Sequence, residues 1–351
     1  MGFRLLKLPM LVQKMIFSAI DFNVIIYLST QSTFFQKHLR LVQLPVLKFI
    51  FIMADSPEIF FKTKSNTVWI EVSKEYKDEV FPVKPCKING VPMQSCHVSK
   101  ISSPYLVIIN DEMEYHMIFE HLMAHFLSFL EVKEFELRLR MQNIDFPNCS
   151  VFKYTQKFSN VECLGLIESE PRQVSTEDLI FVLEKIDTKS LHINLEPPPN
   201  FIYKFAPEFS RPNLEELRIG NTDWLDFETL LNLDIKTITS NLQEDPSKKA
   251  NLILKKWVSG RHEKLEDVIL DNWSYSEFDD DVIFDEVDEC KSIFENNEFI
   301  RFKSPIKQKF DINRESDGNL ASVLFVGTEL RLFVWTNKRL RAVGRMEPKY
   351  T

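Results

Sequence analysis

Asn213-Leu214-Glu215-Glu216-Leu217-Arg218-Ile219 places apolar side chains at its second, fifth and seventh positions, with charged residues between them. This order, apolar-x-x-apolar-x-apolar, is typical of a short strand that buries alternate side chains. The same template recurs, and its middle positions are about 21 to 30 residues apart. Full copies are Val132/Phe135/Leu137, Val161/Leu164/Leu166 and Leu265/Val268/Leu270, and partial copies are Leu191/Ile193 and Ile235/Ile238. The sequence therefore contains a strand repeat.

The segments between these strands have helical patterns. Residues 175–183 begin with capping and acidic residues, residues 226–231 are a shorter version, and residues 246–260 begin with Pro and end with Gly. Strands that alternate with helices at this period resemble leucine-rich repeats, which form a parallel sheet backed by helices. The sequence predicts an α+β chain with an irregular leucine-rich-repeat-like α/β solenoid over residues 112–300.

Two further segments have β character. Residues 45–111 hold apolar runs at 46–53 and 105–109 and turn signals at Lys64-Ser65-Asn66 and Gly90, which predicts a β-rich connector with a small antiparallel sheet. Residues 301–351 are expected to form a β-hairpin that turns at Asp317-Gly318, followed by a basic tail. The tail's cations are Lys338, Arg339, Arg341, Arg345 and Lys349.

Composition and motifs exclude several functions. The formal net charge of −8 argues against nucleic-acid binding, and the eight glycines form no phosphate-binding loop. The five cysteines form no C-x-x-C pair, and no catalytic constellation is present. His121 and His125 have a spacing that can hold a metal, but no third ligand is indicated, so we interpret residues 112–130 as an amphipathic helix. We expect no enzyme activity, no cofactor and no metal. We expect the protein to lie in a reducing compartment, the cytoplasm and/or the nucleus.

Charge is unevenly placed along the chain. Residues 1–52 carry six basic side chains and one acid, Asp21, whereas residues 277–289 carry eight acids. We interpret the acidic run as a solvated or mobile loop, with a steering patch for a basic partner as the alternative.

The N-terminal segment holds more apolar surface than its short helices can bury among themselves. The stripe consists of Leu8, Val12, Met15, Ile16, Ala19 and Ile20. A domain this small is only marginally stable alone, so the excess apolar surface must contact either the rest of the chain or another protein. The hydrophobic periodicity does not distinguish between these two alternatives.

Residues 1–44 resemble an F-box of the kind found in the large nematode-expanded families. The matching residues are Phe3, Leu6, Leu8-Pro9, Val12, Ile16, Asp21, Ile25, Leu28-Ser29 and Ser32. Pro45 is expected to shorten the third helix. The resemblance implies that Leu8, Pro9, Val12, Ile16 and Ile20 face the Skp-type adaptor of a cullin ubiquitin ligase.

A second resemblance covers the C-terminal part, which is similar to the F-box-associated domain of nematode F-box proteins. It rests on residues 213–219, 254–260, 314–323 and 333–335. Together the resemblances imply a substrate-recognition subunit of a Skp–cullin–F-box ubiquitin ligase. The alternatives are a leucine-rich-repeat-like scaffold with no ligase role and a hydrolase with an unrecognised site.

In a parallel repeat sheet, the residue between the second and third apolar positions lies on the open face. We therefore expect a protein target to contact Glu136, His192, Arg218, Thr239 and Ile269. An ordinary solvated strand face is the alternative interpretation.

Overall fold

The computed structural model describes residues 8–54, 57–64, 66–75, 81–98, 105–140, 160–164, 174–195, 197–206, 209–272, 277–294 and 305–343. Within these residues the fold is mixed α+β, with nine helices and extensive sheet, which confirms the predicted class. Contacts divide the chain into unit 1 (Met1–Arg172 and Glu177–Thr188) and unit 2 (Gln173–Thr176 and Lys189–Thr351). This division does not coincide with the predicted segment limits at 44, 111 and 300.

Unit 1 begins with three ten-residue helices, α1 (Met10–Ala19), α2 (Phe22–Gln31) and α3 (Thr33–Val42). Asp21 caps α2 by accepting the backbone N–H of Asn23 at 2.8 Å. Ser32 caps α3 by accepting the backbone N–H of Phe35 at 3.2 Å. These caps satisfy donors that have no partner inside a helix, so the helix starts are set locally by sequence.

The prediction that Pro45 shortens the third helix is wrong. α3 is as long as α1 and α2 and ends at Val42. The next residue, Gln43, has a φ of 52°, a left-handed conformation that stops the helix before Pro45 is reached. Pro45 lies in the strand that follows.

The strands of unit 1 form one mixed sheet in the order β8-β7-β1-β2-β3-β6-β5-β4. Its strands are β1 (Leu44–Met53), β2 (Glu58–Lys62), β3 (Thr67–Ser73), β4 (Lys84–Ile88), β5 (Val91–Val98), β6 (Tyr105–Ile109), β7 (Leu130–Arg140) and β8 (Asn160–Leu164). The predicted small antiparallel sheet is corrected, because β1 pairs with β7 and β3 pairs with β6 in parallel. β7 therefore completes the sheet of the predicted connector.

Two more helices accompany this sheet, α4 (Tyr115–Leu127) and α5 (Thr176–Lys185). α4 confirms the predicted amphipathic helix, and its Phe119 and Phe126 are fully buried against aromatic side chains of the sheet, Phe51 and Phe61. Part of the core of unit 1 thus lies between the sheet and its helices, and a second buried cluster on β5 and β6 consists of Cys96, Val98, Val107 and Ile109.

The first half of the unit 2 sheet is parallel and confirms the repeat as strands. Its members are β9 (Ser190–Asn194), β10 (Glu216–Ile219), β11 (Thr237–Leu242) and β12 (Asp267–Asn272). The predicted middle positions Leu191, Leu217, Ile238 and Val268 lie directly opposite one another, and all four are buried. The template therefore sets the register of this ladder.

The template does not align in unit 1. There Leu137, its third position, lies opposite Val161, its first position, so Phe135 and Leu164 are not partners. Nine residue pairs with β1 fix the position of β7, and this long pairing overrides the short template.

The second half of the unit 2 sheet is antiparallel and continues in the order β12-β16-β15-β14-β13. Its strands are β13 (Glu289–Lys291), β14 (Ile306–Asn313), β15 (Leu320–Val326) and β16 (Glu329–Val334). The predicted turn at Asp317-Gly318 joins β14 to β15, with Gly318 at a φ of 68°. The predicted hairpin is thus part of a larger antiparallel sheet.

Four helices complete unit 2, α6 (Phe227–Leu230), α7 (Pro246–Val258), α8 (Asp280–Ile283) and α9 (Asn337–Ala342). α8 corrects the predicted loop, since Ile283 and Val287 are buried and Lys255 binds Asp285 at 3.1 Å, but most acids of the run are exposed to solvent as predicted. α9 holds part of the predicted basic tail, and Arg345 and Lys349 lie outside the described residues.

Among the described residues, no single helix is long and apolar enough to cross a membrane. Of the described helices, only α1 and α2 together have the length and apolar composition of a membrane span, and the chain bends by 115° between them.

Candidate functional site

The outer side of α1 carries an exposed apolar surface. Leu11 is 71% exposed, Met15 is 65% exposed and Met10 is 60% exposed. Its inner side is fixed by Phe17, which is buried and packs edge-on against Phe35 of α3 at 5.3 Å. Exposed clusters of large apolar side chains are unusual on a soluble surface and mark contact sites.

The predicted adaptor-facing residues lie at the margin of this surface rather than at its centre. Pro9 is exposed and Val12 is 37% exposed, while Leu8, Ile16 and Ile20 are half-buried. The structure therefore brings all five onto one helix and its flanks, but it exposes Met10, Leu11 and Met15 more fully. We call Met10, Leu11, Val12 and Met15 the α1 surface.

The three N-terminal helices carry further exposed apolar and basic side chains. Val24 of α2 and Phe34 of α3 are also exposed. Lys14, Lys37 and Arg40 are exposed on the same three helices, in agreement with the positive charge of this part of the sequence. Exposed apolar and basic side chains on these helices suit a partner with apolar and acidic side chains.

α2 and α3 are tied to the rest of unit 1 by His125 of α4. Its ring is fully buried, with Nε2 3.1 Å from Ser29 Oγ and Nδ1 3.0 Å from Gln36 Nε2. Burial lowers the pKa of His125 to about 3, and the positive charge of Arg40 acts in the same direction. His125 is therefore a neutral packing residue.

The metal alternative for His121 and His125 finds no support in the geometry. Within the described residues, no three His, Cys, Asp or Glu side chains lie in a group that could hold a metal ion.

The predicted target-contact residues of unit 2 do come together. His192, Arg218, Thr239 and Ile269 lie directly opposite one another on β9, β10, β11 and β12. Arg218 is exposed and the other three are half-buried. The residues directly before and after each of the four point to the opposite face of the sheet, and all of them are buried. They form one row on the open face of the sheet, which we call the β9–β12 row.

The β9–β12 row has ordered polar surroundings. Arg218 Nε donates to Glu216 Oε1 at 2.7 Å, and Ser190 Oγ donates to Glu216 Oε2 at 3.1 Å. The row extends onto β16, because Ile269 lies opposite Arg331. Sequence reasoning missed Arg331, since the template does not show that an antiparallel strand joins the repeat at β12.

Glu136 belongs to unit 1, on β7, and is not a member of that row. It is buried, forms an ion pair with Lys48, and accepts from Arg138 Nε at 2.5 Å. Burial raises the pKa of Glu136, but the hydrogen bonds and charges of Lys48 and Arg138 outweigh this effect and hold the pKa below its ordinary value. Glu136 is thus an ionised, paired side chain with no place in the β9–β12 row.

Two of the four segments that carried the second resemblance, residues 254–260 and 314–323, meet at Arg314. This guanidinium is buried, binds Asp317 through Nε–Oδ1 at 2.9 Å and Nη2–Oδ2 at 2.5 Å, and lies over the ring of Trp257 at 5.4 Å. Its Nη1 also donates to the carbonyls of His262 and Glu263 at 3.2 Å. The hydrogen bonds from Arg314 lower the pKa of Asp317.

A second buried network connects a third segment, residues 333–335. Trp335 Nε1 donates to Ser322 Oγ at 2.8 Å, and Ser322 Oγ donates to Asp311 Oδ1 at 2.6 Å. Residues 254–260, 314–323 and 333–335 are therefore joined by contacts in one fold, although they are far apart in the sequence.

Comparison with known proteins places one part of the chain. A family model described as F-box associated matches residues 207–270, which hold β10, α6, β11, α7 and the first four residues of β12. The searches of the curated proteins and of the solved structures returned no match. The F-box-associated resemblance is supported for this segment, which includes Arg218, Thr239 and Ile269 of the β9–β12 row.

Proposed function

We propose that this protein is the substrate-recognition subunit of a Skp–cullin–F-box ubiquitin ligase. Residues 1–44 are the F-box, and they bind a Skp-type adaptor and, through it, a cullin. The β9–β12 row binds a protein target. The observation that carries the proposal is the presence, in one chain, of an F-box-associated match at residues 207–270 and an N-terminal helical region with an exposed apolar surface.

The α1 surface supports the adaptor contact on physical grounds. α1 buries Phe17 on its inner side and leaves Leu11 and Met15 in solvent, so no described part of the chain covers its outer side. Burial of a large apolar side chain at an interface contributes about 1.5–3 kcal/mol, which makes such residues the strongest candidates for a partner contact.

In the proposed role the chain does no chemistry of its own and acts in the cytoplasm and/or nucleus. It increases the rate of ubiquitin transfer by holding a target beside a charged partner enzyme, which is a proximity effect. The mixed pattern of His192, Arg218, Thr239 and Ile269 suits recognition of a protein surface. We infer that the parallel strands of unit 2 are leucine-rich-repeat-like and bind the target with the open face of their sheet.

A second candidate function is an interaction scaffold with no ligase role. It is favoured by the contacts of Ser29 and Gln36 with His125, because they anchor α2 and α3 to the chain's own helix α4. In that case the α1 surface is incidental and binds no adaptor.

Affinity purification of the tagged protein from cells tests the proposal. We expect a Skp-type adaptor and a cullin among the bound proteins, and we expect both to be lost in the double variant Val12→Glu/Ile16→Glu. Ile202→Glu is the matched control, since Ile202 is an apolar side chain exposed on unit 2. Recovery of neither protein with the wild type would favour the scaffold.

A further inference from the structure

Arg218 forms an ion pair with Glu216 on its own strand, and the two charges lie at different depths. Arg218 Nε donates to Glu216 Oε1 at 2.7 Å. Both side chains lie on the open face, because they are two positions apart in β10. The side chain of Arg218 is 54% exposed, whereas that of Glu216 is 30% exposed. The cation of this pair is therefore the charge that is presented to solvent.

The hydrogen bonds of this pair are unequal as well. Glu216 Oε2 accepts from Ser190 Oγ of the adjacent strand β9 at 3.1 Å, so both oxygens of this carboxylate have a donor. Arg218 uses only Nε, and its Nη1 and Nη2 groups donate to no group in the part of the chain that the structure describes. The pair thus has a satisfied carboxylate and a guanidinium end that still has donors to offer.

The side chains around Arg218 leave room for an anion. The open-face positions of the two neighbouring strands hold Ser190, His192 and Asn194 on β9 and Thr237, Thr239 and Asn241 on β11. None of them is acidic, so Glu216 is the only carboxylate on the open face of β9, β10 and β11. An anion that approaches Arg218 meets hydrogen-bonding side chains on both sides.

The acids farther along the same face already have donors. Asp267 is paired with Arg339 at 2.5 Å, and Glu329 is paired with Arg331. Asp271 accepts from a threonine hydroxyl at 2.8 Å. These acids lie on β12 and β16, at least two strands from Arg218. They therefore oppose an anion at Arg218 only weakly.

We propose that Arg218 selects protein targets that present an Asp or Glu side chain, with Glu216 as its positioning residue. A carboxylate matches the donors of a guanidinium with two parallel, charge-assisted hydrogen bonds, and here the end formed by Nη1 and Nη2 is available for them. Glu216 holds the guanidinium through Nε, and Ser190 holds Glu216. Arg218 therefore loses less conformational freedom when a target binds.

Ile269 adds an apolar contact at a defined distance. It lies in the same row as Arg218 and two strands away from it. Neighbouring strands are about 4.8 Å apart, so the two side chains are roughly 10 Å apart. The class of target is a protein segment that carries an acidic and an apolar side chain at about this separation.

This inference rests on the proposed target-binding role of the β9–β12 row and names the class of target. It is tested on the full chain without the adaptor. Failure of adaptor binding therefore leaves the reading of the test intact.

Selection from a phage-displayed library of random linear peptides tests the class of target. Wild type and Arg218→Glu are used in parallel. We expect wild type to enrich Asp or Glu at one position of the bound peptides, and Arg218→Glu to enrich Lys or Arg there. The same acidic preference with both proteins, or bound peptides without an acidic preference for wild type, would overturn the proposal. If wild type binds no peptide, target binding by the row is contradicted as well.

Fluorescence anisotropy with the most enriched peptide tests the two roles. Arg218→Lys keeps the charge but loses the paired donors, and it should weaken binding at least tenfold. Glu216→Leu should weaken binding at least threefold, although removal of a negative charge would by itself strengthen binding of an acidic peptide. Glu216→Gln keeps an acceptor for Arg218 Nε and should bind at least as well as wild type.

The matched control is Arg261→Lys, because Arg261 is an exposed arginine of unit 2 that lies outside the sheet. It should leave the dissociation constant unchanged, and a thermal melt of each variant establishes that it is folded. Equal losses in Arg261→Lys and Arg218→Lys would overturn the role of Arg218. Tighter binding by Glu216→Leu than by wild type would overturn the positioning role of Glu216.

Discussion

The Nε2 atom of His125 lies 3.1 Å from Ser29 Oγ, and a second hydrogen bond of Ser29 determines which of the two groups is the donor. Ser29 Oγ donates to the carbonyl of Ile26 at 2.6 Å, so it must accept from His125 Nε2. His125 Nδ1 is then free to accept from Gln36 Nε2. One neutral tautomer satisfies the ring and joins α2, α3 and α4.

Replacement of His125 by Ala should lower the free energy of unfolding by about 2–4 kcal/mol. The change leaves a cavity and removes a partner from the buried Ser29 and Gln36. Chemical denaturation followed by circular dichroism measures the effect. His38→Ala is the control, because His38 is only half-buried and bonds within its own helix, and it should change stability by less than about 1 kcal/mol.

Stability should fall as the pH falls from 6.5 toward 4. His125 has a folded pKa of about 3 and His262 one of about 4, both lowered mainly by burial from an ordinary value near 6.5. Between these pKa values the unfolded chain binds more protons than the folded one. At pH values well below 6.5, each ring therefore lowers the free energy of unfolding by about 1.4 kcal/mol per pH unit. Denaturation between pH 6.5 and 5 tests this, and His125→Phe should reduce the slope. An equal slope in wild type and variant would contradict the prediction.

Loss of Arg314 should destabilise unit 2. Arg314→Ala removes donors from two carbonyls and from Asp317 and should cost about 2–4 kcal/mol, measured by denaturant unfolding. Arg341→Ala is the matched control, since Arg341 is exposed on α9 and its loss should cost less than about 0.5 kcal/mol. Equal midpoints for the two variants would show that the Arg314 contacts do not hold unit 2 together.

Gly260→Ala should cost more than Gly90→Ala. Both glycines have positive φ, 78° and 84°, so both substitutions add backbone strain of about 1 kcal/mol. At Gly260 an added Cβ would also lie 2.6 Å from Ser316 Oγ, whereas nothing lies within 4 Å at Gly90. Thermal melts of the two variants measure the difference, and it should shrink when Ser316 is changed to Gly.

The proposed target-binding role of the β9–β12 row can be tested by target capture. His192→Glu/Arg218→Glu should abolish recovery of the target by mass spectrometry and leave adaptor recovery intact, because the row lies in unit 2 and the α1 surface lies in unit 1. Lys248→Glu, a charge reversal at an exposed side chain of α7, should change neither. Unchanged capture in the double variant would reject the assignment of this row.

The accuracy of the sequence-based predictions depended on which interactions set each element. The register of β9–β12 was predictable, because Leu191, Leu217, Ile238 and Val268 alternate with polar residues and are buried. The position of Glu136 was not, because Lys48, which pairs with it, lies on a strand that is adjacent in the sheet but far away in the sequence. On α1 the helix was predictable, but its inner side was not, since buried Gln13 donates to the Leu8 carbonyl at 2.8 Å. Polarity alone would place Gln13 in solvent.

Reconstitution with a purified Skp-type adaptor, followed by gel filtration, tests the central claim most directly. We predict a one-to-one complex with the wild-type chain and with Ile202→Glu/Ile293→Glu, whose changed residues are exposed on unit 2. Leu11→Glu/Met15→Glu should elute as a folded chain without the adaptor. A wild-type chain that elutes apart from the adaptor, or a complex that persists in Leu11→Glu/Met15→Glu, would contradict the α1 surface as the adaptor site.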